Sequence, residues 1–133
     1  MSNPKLTSTK AGVALSADAR SKLQQLADWM ELETSSRQDP RVQLNYYGGI
    51  MTYEGVTHVS PVGALVQMFQ PFKLSEAKQM KLAGMHIAQY ADVMLRFADI
   101  LDLGSMGAED IVRHIYAGDL SMKGAIQRLR TLK

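Results

Sequence analysis

One long segment, residues 75–103, constrains the fold of this chain more than any other part of the sequence. Its apolar residues recur at the spacing of an α-helix, Ser75 can cap its start, and Gly104 follows its end as a stop signal. At 1.5 Å per residue such a helix would be about 43 Å long. A compact domain of 133 residues has a diameter of roughly 36 Å. We therefore predict one long central helix that spans or overhangs the whole domain.

The apolar surface of this predicted helix covers more than half of its circumference. Its central stripe is extended on one side by Leu82, Val93 and Ile100, and on the other side by Leu95. A helix of this kind is buried on several sides. Two arrangements follow from its length. Either the helix kinks at Gly84 and is covered within one chain, or it is straight and a second chain covers its exposed flank.

The stretch 41–59 carries the β-strand signal of the chain. Residues 41–47 alternate between apolar and polar side chains, and the two glycines at 48–49 can form a hairpin turn. A second turn before residues 56–59 would add a short third strand. Such a small meander is not stable alone in water and must pack against a helix.

This hairpin register brings polar aromatic and imidazole groups to one face of the predicted sheet. Tyr46 would face Met51, and Tyr53 and His58 would lie on the same face. Tyrosine and histidine side chains can do acid–base chemistry, which makes a small enzyme one alternative hypothesis. A half-buried sheet face with polar tips at its edge would have the same pattern.

Shorter segments complete the predicted fold. They are a helix over 16–33 capped by Ser16, a helix that begins at Ser60-Pro61 and ends at Pro71, a helix over 108–117 that ends at Gly118, and a last helix capped by Ser121. We predict an α-rich α+β fold: about five helices around one long central helix, with a small antiparallel β-hairpin or meander at 41–59. Residues 16–133 would form a single globular domain after a flexible N-terminal arm, 1–15.

Composition and motifs restrict the chemistry that the chain can do. Without cysteine there is no disulfide, no thiolate zinc ligand and no cysteine nucleophile. The sequence has no HExxH, GxGxxG or Walker-type motif. We therefore predict no catalytic residue, cofactor or metal, and we do not favour an enzyme. The lack of cysteine fits a reducing compartment, and no stretch is long enough to span a membrane, so we expect a cytoplasmic protein.

The leading hypothesis is a small non-catalytic interaction or regulatory protein: an inhibitor, an adaptor or an assembly component. It would bind a protein partner and associate with itself as a homo-oligomer. The wide apolar helix favours this hypothesis, as do nine methionines, which suit adaptable contact surfaces. The predicted protein-contact residues lie at the hairpin tip and on one flank of the long helix: Tyr47, Ile50, Leu82, Met85, Val93 and Ile100.

The C-terminal residues suggest a nucleic-acid-binding regulator as a second hypothesis. Residues 121–133 contain no acidic side chain, and the two short helices around Gly118 are similar to a helix-turn-helix. Basic residues near the end of a helix also simply complement its dipole. The predicted nucleic-acid contacts are Lys123, Arg128, Arg130 and Lys133.

Overall fold

The fold is α+β and rich in helix, as the sequence predicts. The computed structural model describes residues 7–8, 14–36, 42, 50–53, 56–71, 79–82, 85–117 and 121–132. The helices are α1 (Ala17–Ser36), α2 (Pro61–Phe69), α3 (Tyr90–Ile100), α4 (Ser105–Ile115) and α5 (Met122–Arg130). The strands are β1 (Thr7–Ser8), β2 (Ala14–Leu15), β3 (Ile50–Tyr53), β4 (Val56–Val59), β5 (Gln79–Leu82) and β6 (Met85–Ala88).

Serine caps begin three of the five helices. The side-chain oxygens of Ser16, Ser60 and Ser121 each accept a hydrogen bond from the backbone N–H three residues later, at 3.0, 3.2 and 2.9 Å. These bonds satisfy donors that have no partner within the first turn of a helix. The predicted starts of α1, α2 and α5 are therefore confirmed.

Strands β3 to β6 form one antiparallel sheet of two hairpins in the order β4-β3-β6-β5, while β1 and β2 pair separately. In the first hairpin Tyr53 pairs with Val56 and Ile50 pairs with Val59. The predicted third strand at 56–59 is therefore confirmed as β4.

The long helix predicted over 75–103 is wrong. Its first part is the second hairpin, and the helix begins only at Tyr90. The sequences Gln-Met-Lys-Leu and Met-His-Ile-Ala of β5 and β6 also alternate with a period of two, so periodicity alone fits both structures. Pairing of β6 with β3 stabilises the strand form. Gly84, the predicted kink, lies outside the described residues.

The predicted register of the strand over 41–47 is also wrong. At Met51, β3 is paired on both edges, with His58 of β4 and with Ile87 of β6, which leaves no place opposite it for another strand. Of the predicted strand, only Val42 is among the described residues, and it forms a parallel bridge to the outer edge of β4. The predicted Gly-Gly turn lies outside the described residues.

The core lies between the helices and the part of the sheet next to them. Helix α1 packs against α2 and α5, α3 packs against α2 and α4, and α4 packs against α5. Leu15, at the end of the predicted arm 1–15, is buried in this core. The other large side chains that are fully buried are Leu23, Leu26, Met30, Ile50, Leu65, Phe97, Leu101, Ile111, Ile115, Leu129 and Leu132.

A short connection joins α3 to α4 and sets their separation. Asp102 adopts a left-handed conformation with φ 54°, and the N–H of Leu103 donates a 2.9 Å bond to the carbonyl of Ala98. A left-handed residue followed by such a bond is a common way to end a helix. Gly104 is not the stop signal predicted: it is the N-cap of α4, with φ −72°.

Two substitutions in this connection, one at Asp102 and one at Gly104, should stabilise the chain. Asp102→Gly should raise the free energy of unfolding by about 0.5–1 kcal/mol, because glycine adopts positive φ without a steric penalty. Gly104→Ser should raise it by a similar amount, because serine supplies the cap oxygen that α4 lacks and a Cβ there meets nothing within 4 Å. Urea denaturation would measure both effects.

The helix interior provides the control for these two substitutions. Ala98→Gly, inside α3, should lower the free energy of unfolding by about 1 kcal/mol. An equal loss at Asp102 would contradict the left-handed conformation described for that residue.

Candidate functional site

Helices α3 and α4 enclose an open groove of about 730 Å³, called here the α3/α4 groove. Its floor consists of buried or half-buried side chains: Met94, Ala98, Leu103, Ala108 and Val112. Its rim consists of exposed residues: Tyr90, Ala91, Leu95, Asp99, Ser105, Glu109 and Arg113. The groove is thus apolar at its floor and mixed at its rim, which is the usual constitution of a binding site.

The helical repeat produces the groove. Lining residues recur about once per turn on each helix, at 90–91, 94–95 and 98–99 of α3 and at 105, 108–109 and 112–113 of α4. The core face of α3 is a different stripe. Small side chains at Ala98 and Ala108 leave space between two helices that the short connection holds together.

Two cations hold α3 in place from neighbouring elements. Arg96 donates bonds of 3.0 and 3.2 Å to the carbonyls of Gln70 and Pro71. Lys22 of α1 lies 3.4 Å from the carbonyl of Ile100, where a positive charge complements the helix dipole. The groove wall that α3 supplies is therefore anchored to α1 and to the end of α2.

Large apolar side chains are exposed along the rim. Leu95 is 69% exposed and Tyr90 is 51% exposed, and Met106, next to the lining residue Ser105, is 79% exposed. Single exposed apolar residues are ordinary, but a cluster beside an apolar groove is typical of an interaction site. Leu32 on α1 is 64% exposed and does not line the groove, so it serves as a matched control for Leu95.

Three charged residues line the groove: Asp99, Glu109 and Arg113. Asp99 lies beside the α3–α4 connection and accepts a 2.6 Å hydrogen bond from Gln70. Arg113 lies near the far end of α4, where it forms an ion pair with Asp110.

Burial raises the pKa of Tyr90, and the carboxylate of Glu109 raises it further. This interaction places the start of α3 beside α4, so the two helices run back along each other.

Tyr116 closes the packing at the end of α4. Burial raises the pKa of its phenol to about 12; a hydrogen bond with Ser60 acts in the opposite direction, and Tyr90 adds a small increase. Ser60 is also the N-cap of α2, so this contact ties the end of α4 to the start of α2.

The Tyr116 phenol should make stability depend on pH in the alkaline range. The folded chain keeps this proton to about pH 12, whereas the unfolded chain loses it near 10.0. The associated stability is therefore fully present below pH 10 and is lost as the pH rises towards 12, by about 2 kcal/mol at pH 11.5. Urea denaturation at about pH 9 and 11.5 should show this loss in the native chain, and Tyr116→Phe should remove it. Equal losses in the two chains would contradict the assignment.

The structure describes the side chains of three of the six predicted protein-contact residues. Ile50, Val93 and Ile100 are buried in the core, because the spacing of α3 turns Val93 and Ile100 inwards. Leu82 and Met85 are paired at the end of the β5–β6 hairpin, and their side chains lie outside the described ones. Tyr47 lies outside the described residues as well.

The groove lies on the flank of α3 opposite the one that carries the predicted contact residues Val93 and Ile100. On the predicted long helix, Leu95 lies on the other flank of the apolar stripe. Polar residues surround this position on the helix, and that pattern indicates an exposed side chain. The contribution of α4 could not be found in the same way, because it depends on how the two helices pack.

The basic C-terminal residues contact other parts of the chain. Arg130 forms ion pairs with Asp28 and Glu31 of α1, the first at 2.8 Å. Arg128 donates a 2.8 Å bond to the carbonyl of Ile115. Lys123 is exposed, and Lys133 lies outside the described residues. The two arginines thus attach α5 to α1 and to α4.

The predicted tyrosine–histidine face is present in part. His58 is directly opposite Met51, and Tyr53 follows two residues after Met51 on β3, so the three positions share one face of the sheet. This part of the prediction is confirmed. Tyr46 lies outside the described residues.

The described part of the chain contains no group of three or more histidine, aspartate or glutamate residues placed to hold a metal ion. Within the same residues, no helix has both the length and the apolar character needed to cross a membrane. The chain matches no protein-family model, no curated protein and no solved structure.

Proposed function

We propose that this chain is a small non-catalytic interaction protein, of the inhibitor, adaptor or assembly type, which binds a protein partner in the α3/α4 groove. The observation that supports the proposal is the apolar groove of about 730 Å³ with Leu95 and Tyr90 exposed on its rim. Burying a leucine side chain contributes roughly 1.5–3 kcal/mol, which the isolated chain does not gain at Leu95. A partner seated in the groove would gain it.

The shape of the groove favours a helix as the bound element. Its walls are two helices of 11 residues each, about 16 Å long, and its floor contains the small side chains Ala98 and Ala108. Small residues allow a third helix to approach to the usual 8–10 Å between helix axes. The partner segment would be an amphipathic helix of roughly three turns, with apolar residues at i, i+3, i+4 and i+7.

The two alternative functions have less support. The nucleic-acid hypothesis needs Arg128 and Arg130 to contact phosphates, whereas both already make contacts within the chain. The enzyme hypothesis has two residues, Tyr53 and His58, at positions on one sheet face. A cytoplasmic location is part of the proposal, and the lack of cysteine supports it.

Photo-crosslinking from the rim of the groove tests the proposal. A photoreactive phenylalanine derivative replaces Leu95 in one variant and Leu32 in another, and both are expressed in the organism that encodes the chain. We expect a defined protein adduct from position 95 only. Mass spectrometry should map its partner residues to one apolar stripe of a helix.

A substitution within the groove provides the specificity control. Ala91→Glu, at an exposed rim position, should remove the adduct from position 95 while circular dichroism shows an unchanged fold. Equal crosslinking from positions 95 and 32, or adducts that survive Ala91→Glu, would show that the groove does not bind a partner.

A further inference from the structure

We infer that the α3/α4 groove binds a basic amphipathic helix, one that carries lysine or arginine on both sides of its apolar stripe. The inference rests on the proposed function, since it names the chemistry of the protein partner in the same groove. Three observations support it: the charges that line the groove, the net charge of the two helices that form it, and the exposed aromatic ring on its rim.

The charges that line the groove are mainly negative once the contacts within the chain are considered. Arg113 forms an ion pair with Asp110, so these two charges offset each other. Asp99 and Glu109 are exposed, and no ion pair among the described residues includes either of them. The hydrogen bond that Asp99 accepts comes from the neutral amide of Gln70. Each wall therefore presents one carboxylate that no described cation neutralises, Asp99 on α3 and Glu109 on α4.

The two helices of the groove are acidic in a chain that is basic overall. Residues 90–116 contain five aspartates and glutamates, two arginines and no lysine, which gives a net charge of −3. The whole chain carries +2, so the residues outside this segment carry +5. Of the two arginines, Arg96 contacts the carbonyls of Gln70 and Pro71 and does not line the groove. The field at the groove therefore favours a partner surface of positive charge.

The apolar rim and its aromatic ring fit the same kind of partner. Leu95 and Tyr90 are 69% and 51% exposed, so a helix with an apolar stripe would bury area at both. The carboxylate of Glu109 acts on the phenol of Tyr90, which places these two side chains near each other. A lysine or arginine of the partner can therefore contact the carboxylate and the face of the ring together.

The same charges disfavour other occupants of the groove. Nucleic acids and the headgroups of anionic lipids are negative, and the rim carboxylates would repel both. A second copy of the chain would present the same acidic pair of helices, so two grooves that face each other would repel as well. A basic amphipathic helix is the occupant that suits both the apolar floor and the charged rim.

Two synthetic peptides that differ only in charge test the inference. Both are amphipathic helices of roughly four turns, held helical by the same internal cross-link, with leucine at i, i+3, i+4 and i+7. The positions beside this stripe are lysine in one peptide and glutamate in the other. Fluorescence anisotropy measures both dissociation constants. We expect the lysine peptide to bind at least about tenfold more tightly, and this ratio to shrink at about 0.5 M salt, because salt screens exposed charges.

Two double variants with the same change in net charge assign the effect to the groove. Asp99→Asn with Glu109→Gln removes the two rim carboxylates and should reduce the preference for the lysine peptide to less than about threefold. Asp28→Asn with Glu31→Gln removes two carboxylates of α1 that do not line the groove, and should keep the native preference. Circular dichroism confirms that both variants are folded.

The outcomes separate this inference from the proposed function. A preference for the lysine peptide that salt and the groove variant both remove supports the inference. No such preference, an equal change in the two double variants, or no binding of either peptide at about 1 mM would overturn it. A position-95 adduct with a second copy of the chain would overturn it as well. In all these cases a defined adduct from position 95 would leave the proposed function standing, whereas the absence of any adduct would remove both.

Discussion

Replacing Phe97 by alanine should lower the free energy of unfolding by about 3–5 kcal/mol, which would leave a domain of ordinary stability close to unfolding. The ring is completely buried on the core face of α3, and truncation would leave a cavity that its neighbours cannot fill. Leu95→Ala, two residues earlier on the same helix, should change the same quantity by less than about 0.5 kcal/mol, because its side chain is 69% exposed. Urea denaturation measures both.

Binding of a partner in the groove should depend on Leu95 far more than folding does. Leu95→Ala should weaken binding of the proposed protein partner while its fold is intact, because the leucine is the protruding apolar group of the groove rim. A loss of stability at Leu95 as large as that at Phe97 would place both residues in the core. That result would contradict the description of the groove.

Proline at two positions of α3 should have very different effects. Ala98→Pro should cost about 3 kcal/mol or more, because it removes a hydrogen bond within the helix and introduces a clash with the preceding turn. Tyr90→Pro should cost less than about 1 kcal/mol, because Tyr90 is the first residue of α3 and the preceding Gln89 is extended, with φ −72° and ψ 127°. Thermal and urea denaturation of the two variants measure the difference.

The same pair of substitutions discriminates between a short α3 and the long helix that the sequence predicts. In a helix over 75–103, position 90 would be near the middle, and proline there would cost as much as at Ala98. Equal, large losses at both positions would therefore contradict the β5–β6 hairpin and the start of α3 at Tyr90.

Local signals identified the elements whose ends are determined by neighbouring residues. The serine caps at Ser16, Ser60 and Ser121 were found because each supplies an oxygen to a donor three residues away. The β4 strand is predicted because Glu54-Gly55 is a turn signal in the sequence before residues 56–59. In each case the physical cause lies within a few residues of the element itself.

The prediction of a helix over 75–103 is wrong because the interaction that makes its first part form strands is not local in the sequence. The runs that form β5 and β6 fit both helical and strand periods, and the choice is decided by β3, which is about 30 residues away in the sequence. This error also shifted the predicted contact surface. Once α3 begins at Tyr90, its core stripe includes Val93 and Ile100, and Leu95 faces outwards.

The groove could be predicted only in part for a related reason. One wall can be identified on α3 from the exposed Leu95, but the second wall requires α4 to return beside α3. That return depends on the left-handed Asp102 in the connection. An aspartate at such a position is a weaker signal for the end of a helix than a glycine is. The helix end is therefore predicted at Gly104, two residues after Asp102.

Photo-crosslinking from position 91 in three chains tests most directly whether a protein partner binds in the α3/α4 groove. A photoreactive phenylalanine derivative replaces Ala91 in the native chain, in Leu95→Glu and in the control Leu32→Glu. The native background and Leu32→Glu should give the same defined adduct, because Leu32 does not line the groove. Leu95→Glu should give none, because binding would bury an unpaired carboxylate. An adduct that persists in Leu95→Glu, or no adduct in the native background, would contradict the account.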